Sequence, residues 1–156
     1  MPAAHLYVLV EFIFLTLFYS NYVKKYVAPK YIPIAISIFI LFTVLNAVFI
    51  QKVSEYPSVL RVVESIIIVI FSILYFHKVM VESKITKLSR EPMIWVNTDM
   101  LVYFSGNFFF HILLPIGVSH LVNFATFTVY YFWITNVMFY LILAIGFYKQ
   151  KRLVEQ

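Results

Sequence analysis

The chain alternates between long apolar stretches and short polar ones, and the apolar stretches are of membrane length. Leu6–Val23, Ile32–Ile50, Pro57–Phe76, Met93–Ile116 and Leu121–Tyr148 are each nearly or wholly free of charge. A helix crosses the hydrocarbon core of a bilayer with about 20 apolar residues. A membrane β-barrel would instead show alternating segments of about 10 residues, and these stretches are continuous. The pattern predicts an all-α integral membrane protein, a bundle of about five transmembrane helices over residues 6–23, 32–50, 57–78, 93–116 and 121–148. Residues 1–156 are expected to form a single domain. The last stretch is longer than a span needs, so its helix is expected to tilt or protrude.

Proline and glycine punctuate these stretches. Ala28-Pro29-Lys30-Tyr31-Ile32-Pro33 ends the first helix and starts the second, and Ser54-Glu55-Tyr56-Pro57 precedes the third. Glu91-Pro92 opens the fourth, and Pro115-Ile116-Gly117 closes it. Proline suits a helix start and disfavours a helical residue before it. The N-terminal Met1-Pro2-Ala3-Ala4-His5 lacks the basic region of a signal peptide, and Glu11 interrupts the apolar run. The first stretch is therefore expected to be a helix of the mature protein.

Composition sharpens this picture. Hydrophobic residues make up 63% of the chain, aromatics 20% and charged residues only 12%, against roughly 25% charged in a soluble domain. Such a surface needs lipid. There is no cysteine, which excludes disulfides and cysteine-ligated metals.

Charge adds a direction. Of the 12 lysines and arginines, only Lys52 and Arg61 follow an even-numbered stretch. The others are Lys24, Lys25 and Lys30 after the first, Lys78, Lys84, Lys87 and Arg90 after the third, and Lys149, Lys151 and Arg152 at the end. Basic residues near span ends are retained on the cytoplasmic side, which predicts the N-terminus out and the C-terminus in. The net charge of +5 then reads as topology and attraction to lipid headgroups; no nucleic-acid partner is expected. Tyr19, Tyr22, Tyr26, Tyr31, Trp95 and Tyr148 fit interfacial aromatic belts. His5 and His120 are expected at the outer surface, and His77 at the inner one.

Polar groups at membrane depth are costly and usually face the bundle interior. The fourth stretch is the most polar. Asp99, Tyr103, Gly106 and Asn107 follow i, i+4, i+7, i+8 spacing, one helix face, and His111 continues the line. It reads either as an internal polar track, such as a proton or ion path, or as a set of interhelical hydrogen bonds. A second constellation is expected in the outer half. Arg61 and Glu64 are i, i+3 neighbours, and a bidentate pair would neutralise both. Glu11, with Tyr7 and Tyr22 on its face, and His111 join them as candidate ligand- or partner-binding residues. The alternative is a structural ion-pair network. Asn123, Thr126 and Tyr130 are expected to form the seam of the fifth helix with the fourth, leaving Asn136 to face elsewhere.

Recognisable catalytic apparatus is absent: no nucleophile elbow, no glycine-rich phosphate loop and no cysteine nucleophile. The histidines lack metal-ligand spacing on a helix face, so no metal site and no cofactor are predicted. The stretch Arg90-Glu91-Pro92-Met93-Ile94-Trp95-Val96-Asn97-Thr98-Asp99-Met100-Leu101-Val102-Tyr103-Phe104-Ser105-Gly106-Asn107 resembles a P-x-x-W-[IV]-N-x-x-x-L-x-Y-F-S-G-N pattern of uncharacterised bacterial multi-pass membrane proteins. Some of that group resemble the membrane portions of sensor histidine kinases. His5-Leu6-Tyr7, Glu11-Phe12 and the Arg61/Glu64 pair are similar to it as well. The resemblance implies a sensory or accessory module in a bacterial inner membrane. The expected function is non-enzymatic binding of a partner protein or small ligand within the bundle, in contact with lipid and either another membrane protein or further copies of the chain. The alternatives are an oligomeric ion or proton channel, transporter or membrane-permeabilising effector, and an intramembrane lipid-acting enzyme.

Overall fold

A computed structural model describes residues 2–24, 26–51, 56–82, 91–120 and 124–154. Lys25, Lys52, Lys84, Lys87, Arg90 and Asn123, and the side chain of His120, lie outside what is described. The described residues form helices joined by short connections, with no strand. They are α1 (Pro2–Val23), α2 (Tyr31–Leu45), α3 (Ser58–Glu82), α4 (Pro92–His120) and α5 (Phe124–Val154).

Among the described residues, four helices are long and apolar enough to cross a membrane: Ala3–Val23, Tyr31–Ile50, Ser58–Glu82 and Thr126–Gly146. The predicted fourth span, α4, is a helix of 29 residues. Asn97, Thr98, Asp99, Ser105, Asn107 and His111 set polar groups along it. The sequence also closed this helix at Pro115–Gly117, whereas the backbone stays helical to His120. A proline within a helix removes one N–H and frees the carbonyl four residues earlier, and here the helix continues past that loss.

The helices pack in the order α2, α1, α3, α4, α5. α3 is the middle element because its buried positions recur at helical spacing: Leu60, Glu64, Ser65, Ile68, Phe71, Ser72 and Tyr75. Tyr19, Val23, Ile68, Phe71, Tyr75, Met100 and Phe104 form one core among α1, α3 and α4. Val8, Phe12, Phe39 and Leu60 form a second among α1, α2 and α3, with the Phe12 and Phe39 rings stacked 3.8 Å apart.

Directional bonds fix the register. The Tyr19 hydroxyl of α1 donates to Asn97 Oδ1 of α4 at 2.8 Å. That uses its one proton, so the Ser72 hydroxyl of α3, also 2.8 Å away, donates to Tyr19. Asn97 Nδ2 closes the set by donating to the Ser72 carbonyl at 3.1 Å. Three helices are thus pinned at one level. The sequence assigned Tyr19 to an interfacial belt; it is fully buried instead, because its aromatic body fits the core and its hydroxyl finds partners there. At the far end of α1, Lys78 Nζ donates to the Tyr22 carbonyl at 2.9 Å, satisfying one of the carbonyls a helix C-terminus leaves open. Tyr22 itself packs edge-on to Tyr75, more than two turns from Glu11, so it does not share the Glu11 site.

The end of α2 departs from regular helix. Residues Asn46–Ile50 form a wider turn, in which the Gln51 N–H donates to the Asn46 carbonyl at 2.8 Å. The Gln51 side chain then serves the start of α3: its Oε1 accepts from the Val59 N–H at 3.2 Å, and its Nε2 donates to Ser58 Oγ at 2.9 Å. A first-turn N–H has no intrahelical partner, and Gln51 supplies one.

Candidate functional site

The residues the sequence grouped in the outer half do converge, at the bundle end where α1 begins. Arg61 of α3 places Nη1 between two carboxylates, donating to Glu11 of α1 and to Glu64 Oε2 at 3.0 Å. The contact with Glu64 is through one nitrogen rather than the bidentate fork expected, because the same guanidinium corner also serves Glu11. The Tyr7 ring lies under the guanidinium, 5.0 Å from its carbon, a cation–π arrangement. Side-chain exposure is 19% for Glu11, 14% for Arg61 and zero for Glu64. These charges therefore act on one another with little screening.

Helical spacing builds this centre. α1 and α3 run parallel, as the pairs Glu11–Arg61, Tyr19–Ser72 and Tyr22–Tyr75 show. Glu11 and Glu64 therefore arrive at one level. α4 runs antiparallel to α3 and brings His111 back to this end, its ring 5.5 Å from that of Tyr56. Tyr56 lies beside Arg61; burial raises its phenol above the ordinary value, and the neighbouring guanidinium charge opposes the rise. The sequence read Tyr56 only as the residue before a helix-opening proline.

The centre is incompletely satisfied. Glu64 Oε1, Arg61 Nε and His111 Nδ1 are buried without a hydrogen-bond partner. Two carboxylates face one guanidinium, so with both ionised the centre carries one unbalanced negative charge. A protein interior keeps such groups only when something pairs with them. Among the described residues no three His, Asp or Glu side chains gather as a metal site would need.

The internal track is only partly continuous. Asp99 and Asn107 are buried, and Tyr103 is half-buried beside Phe139 of α5, ring centroids 4.6 Å apart. A helix turns about 100° per residue, so the face drifts by about 120° from Asp99 to His111. Asp99 looks towards α5, while the His111 ring lies beside Tyr56 as well as Phe132 of α5.

Other expectations change. His5 is packed inside the bundle, and so is Asn46 in the wider turn after α2. Neither ring nitrogen of His5 and neither amide atom of Asn46 has a hydrogen-bond partner. They lie about two turns beyond the Phe12–Phe39 stack, towards the same bundle end as the ion centre. Asn46 was legible only as a lone amide in an uncharged run. The α4–α5 seam also differs: Thr126 and Tyr130 are exposed. Tyr131 stacks on Phe110 at 4.2 Å, and Phe139 and Gly146 meet Tyr103 and Val96. The seam therefore falls one position away from the polar residues, on the aromatic and small ones that pack closely. Asn136 donates to the Phe132 carbonyl of its own helix at 2.7 Å and lines an open groove of about 320 Å³ with Trp133 and Tyr140.

No protein-family model, curated protein or solved structure matches the chain.

Proposed function

We propose that this chain is a non-enzymatic module embedded in a membrane by five helices, which holds a partner protein or small ligand at the Glu11–Arg61–Glu64 centre. The observation that carries the reading is the buried excess of carboxylate over guanidinium, with Glu64 Oε1 left without a partner. A cationic group on the ligand or partner supplies both the missing charge and the missing donor. Tyr7, Tyr56 and His111 add aromatic surface for it.

Membrane embedding is supported by four helices of suitable length and apolarity. α4 becomes the fifth span in this reading because it packs between α3 and α5, both of membrane length. Its polar groups then face neighbouring helices rather than lipid. The bias of basic residues towards alternate connections supports an N-terminus outside and a C-terminus in the cytoplasm. The likeness to bacterial sensory membrane portions makes a bacterial inner membrane, and a sensory or accessory role, the setting we assign.

The test uses tagged full-length protein extracted in mild detergent from its native membrane, as wild type, Glu11→Gln and Glu64→Gln. A defined protein or small molecule, identified by mass spectrometry, is expected to stay with wild type. Its recovery should fall at least about tenfold, equivalent to 1.4 kcal/mol of affinity, in Glu64→Gln protein that remains folded by thermal melting. The same molecules recovered equally from all three proteins contradict the reading.

A further inference from the structure

Away from the ion centre, a small cleft of about 40 Å³ opens between α4 and α5. Its polar lining is Asp99, Tyr103 and Thr135; Val102, Met138 and Ile142 are among its apolar walls. Asp99 is 1% exposed, and its Oδ2 has no hydrogen-bond partner. The space suits a single water molecule, whose share of the liquid is about 30 Å³.

The lining decides which charge state of Asp99 it accommodates. An ionised carboxylate needs donors or a cation. Thr135 offers no donor, because its hydroxyl proton is committed to the Tyr131 carbonyl of its own helix at 2.8 Å. Its oxygen can still accept. Tyr103, the one titratable group lining the cleft beside Asp99, supplies a single hydroxyl, one donor against the several that an ionised carboxylate needs. On the side facing α1 and α3 the nearby titratable groups are Tyr19, held by Ser72 and Asn97, and Tyr75. On α5 it is Tyr131, stacked on Phe110. The charged groups Glu11, Arg61 and Glu64 lie at least about 9 Å further along the bundle axis, counting 1.5 Å per residue from the Ser72–Asn97 level. Among the described residues no cation pairs with Asp99. A metal ion bound through oxygen takes about six ligands, more than these three side chains supply.

We propose that the α4–α5 cleft is a proton-binding site. Asp99 carries the proton, and one water molecule passes its hydrogen bond on to the accepting oxygen of Thr135. Protonation makes Asp99 a donor to the accepting oxygen of Thr135, leaves it able to accept from Tyr103, and removes a charge from an otherwise apolar wall. This site stands on its own contacts and does not require that the ion centre bind anything.

The experiment treats full-length protein, reconstituted in phosphatidylcholine vesicles, with dicyclohexylcarbodiimide. This apolar reagent reacts with protonated carboxyl groups reached from the bilayer. The adduct is mapped by mass spectrometry across a pH series, with and without added sodium or potassium chloride. The expected result is an adduct on Asp99 whose yield falls about tenfold for each pH unit beyond its midpoint and is insensitive to either salt. Asp99→Asn should lose that adduct. If this variant does not fold, the infrared carbonyl band of a protonated carboxyl in wild-type protein, disappearing over the same pH range, serves instead. No adduct on Asp99 at any pH, a yield indifferent to pH, or protection by sodium or potassium overturns the proposal.

Discussion

At the scale of single residues, the molecule is organised by a few polar side chains whose partners are other helices. Arg61 is the clearest case, because two carboxylates depend on it. Arg61→Leu leaves Glu11 and Glu64 facing each other without a cation and is expected to cost about 3–5 kcal/mol of folding stability. Replacing all three with Glu11→Gln, Arg61→Met and Glu64→Leu removes charge and counter-charge together and should cost far less, since apolar substitutes for a buried ion network are often close to neutral. Reversible unfolding in mixed micelles compares the two directly; equal losses would show that the charges do not act as a unit. Tyr19→Phe orphans Asn97 Oδ1 and should cost about 1 kcal/mol in the same assay, whereas Tyr130→Phe, at an exposed position, should change nothing measurable.

These residues differ in how far the sequence revealed them. Glu11, Arg61, Glu64 and Asp99 stand out because a charge within an apolar run has few affordable environments. Tyr19 and His5 did not, because an amphipathic ring suits both an interfacial belt and a satisfied core. Which one applies depends on helix rotation, and rotation is set by neighbours that a single sequence does not display.

At the scale of elements, the α4–α5 pair shows what helix periodicity reveals and what it omits. The existence and approximate limits of both helices were legible from apolar length alone. The seam was not, because α5 is apolar around its whole circumference and polar spacing pointed to Thr126 and Tyr130 instead. What selects the actual face is close approach. A Cβ on Gly106 would lie 3.1 Å from the Tyr131 hydroxyl, and one on Gly146 would lie 3.3 Å from Val96. Small residues allow membrane helices to approach and gain dispersion contacts that lipid would otherwise provide. Gly106→Leu should therefore force α5 away from Phe110 and destabilise the protein by about 1–3 kcal/mol, as overpacking does. Thermal melting of purified protein would show it, and an unchanged melting temperature would mean that α5 is not seated on Gly106.

For the molecule as a whole, α4 is the element on which the account turns. It lies between α3 and α5 and carries both His111 and Asp99. If it crosses the bilayer, the ion centre and the Asp99 cleft are intramembrane sites and the bundle has five spans. If it does not, both sites lie at an interface and the functional reading fails. The chain has no cysteine, so single cysteines can be placed at Lys30, Gln51, Lys84, Ser119 and Lys151 and probed with a membrane-impermeant maleimide. Gln51→Cys and Ser119→Cys are expected to react from outside intact cells, while Lys30→Cys, Lys84→Cys and Lys151→Cys react only after the membrane is opened. Reaction of Lys84→Cys and Ser119→Cys from the same side would show that α4 does not cross, and would contradict the account.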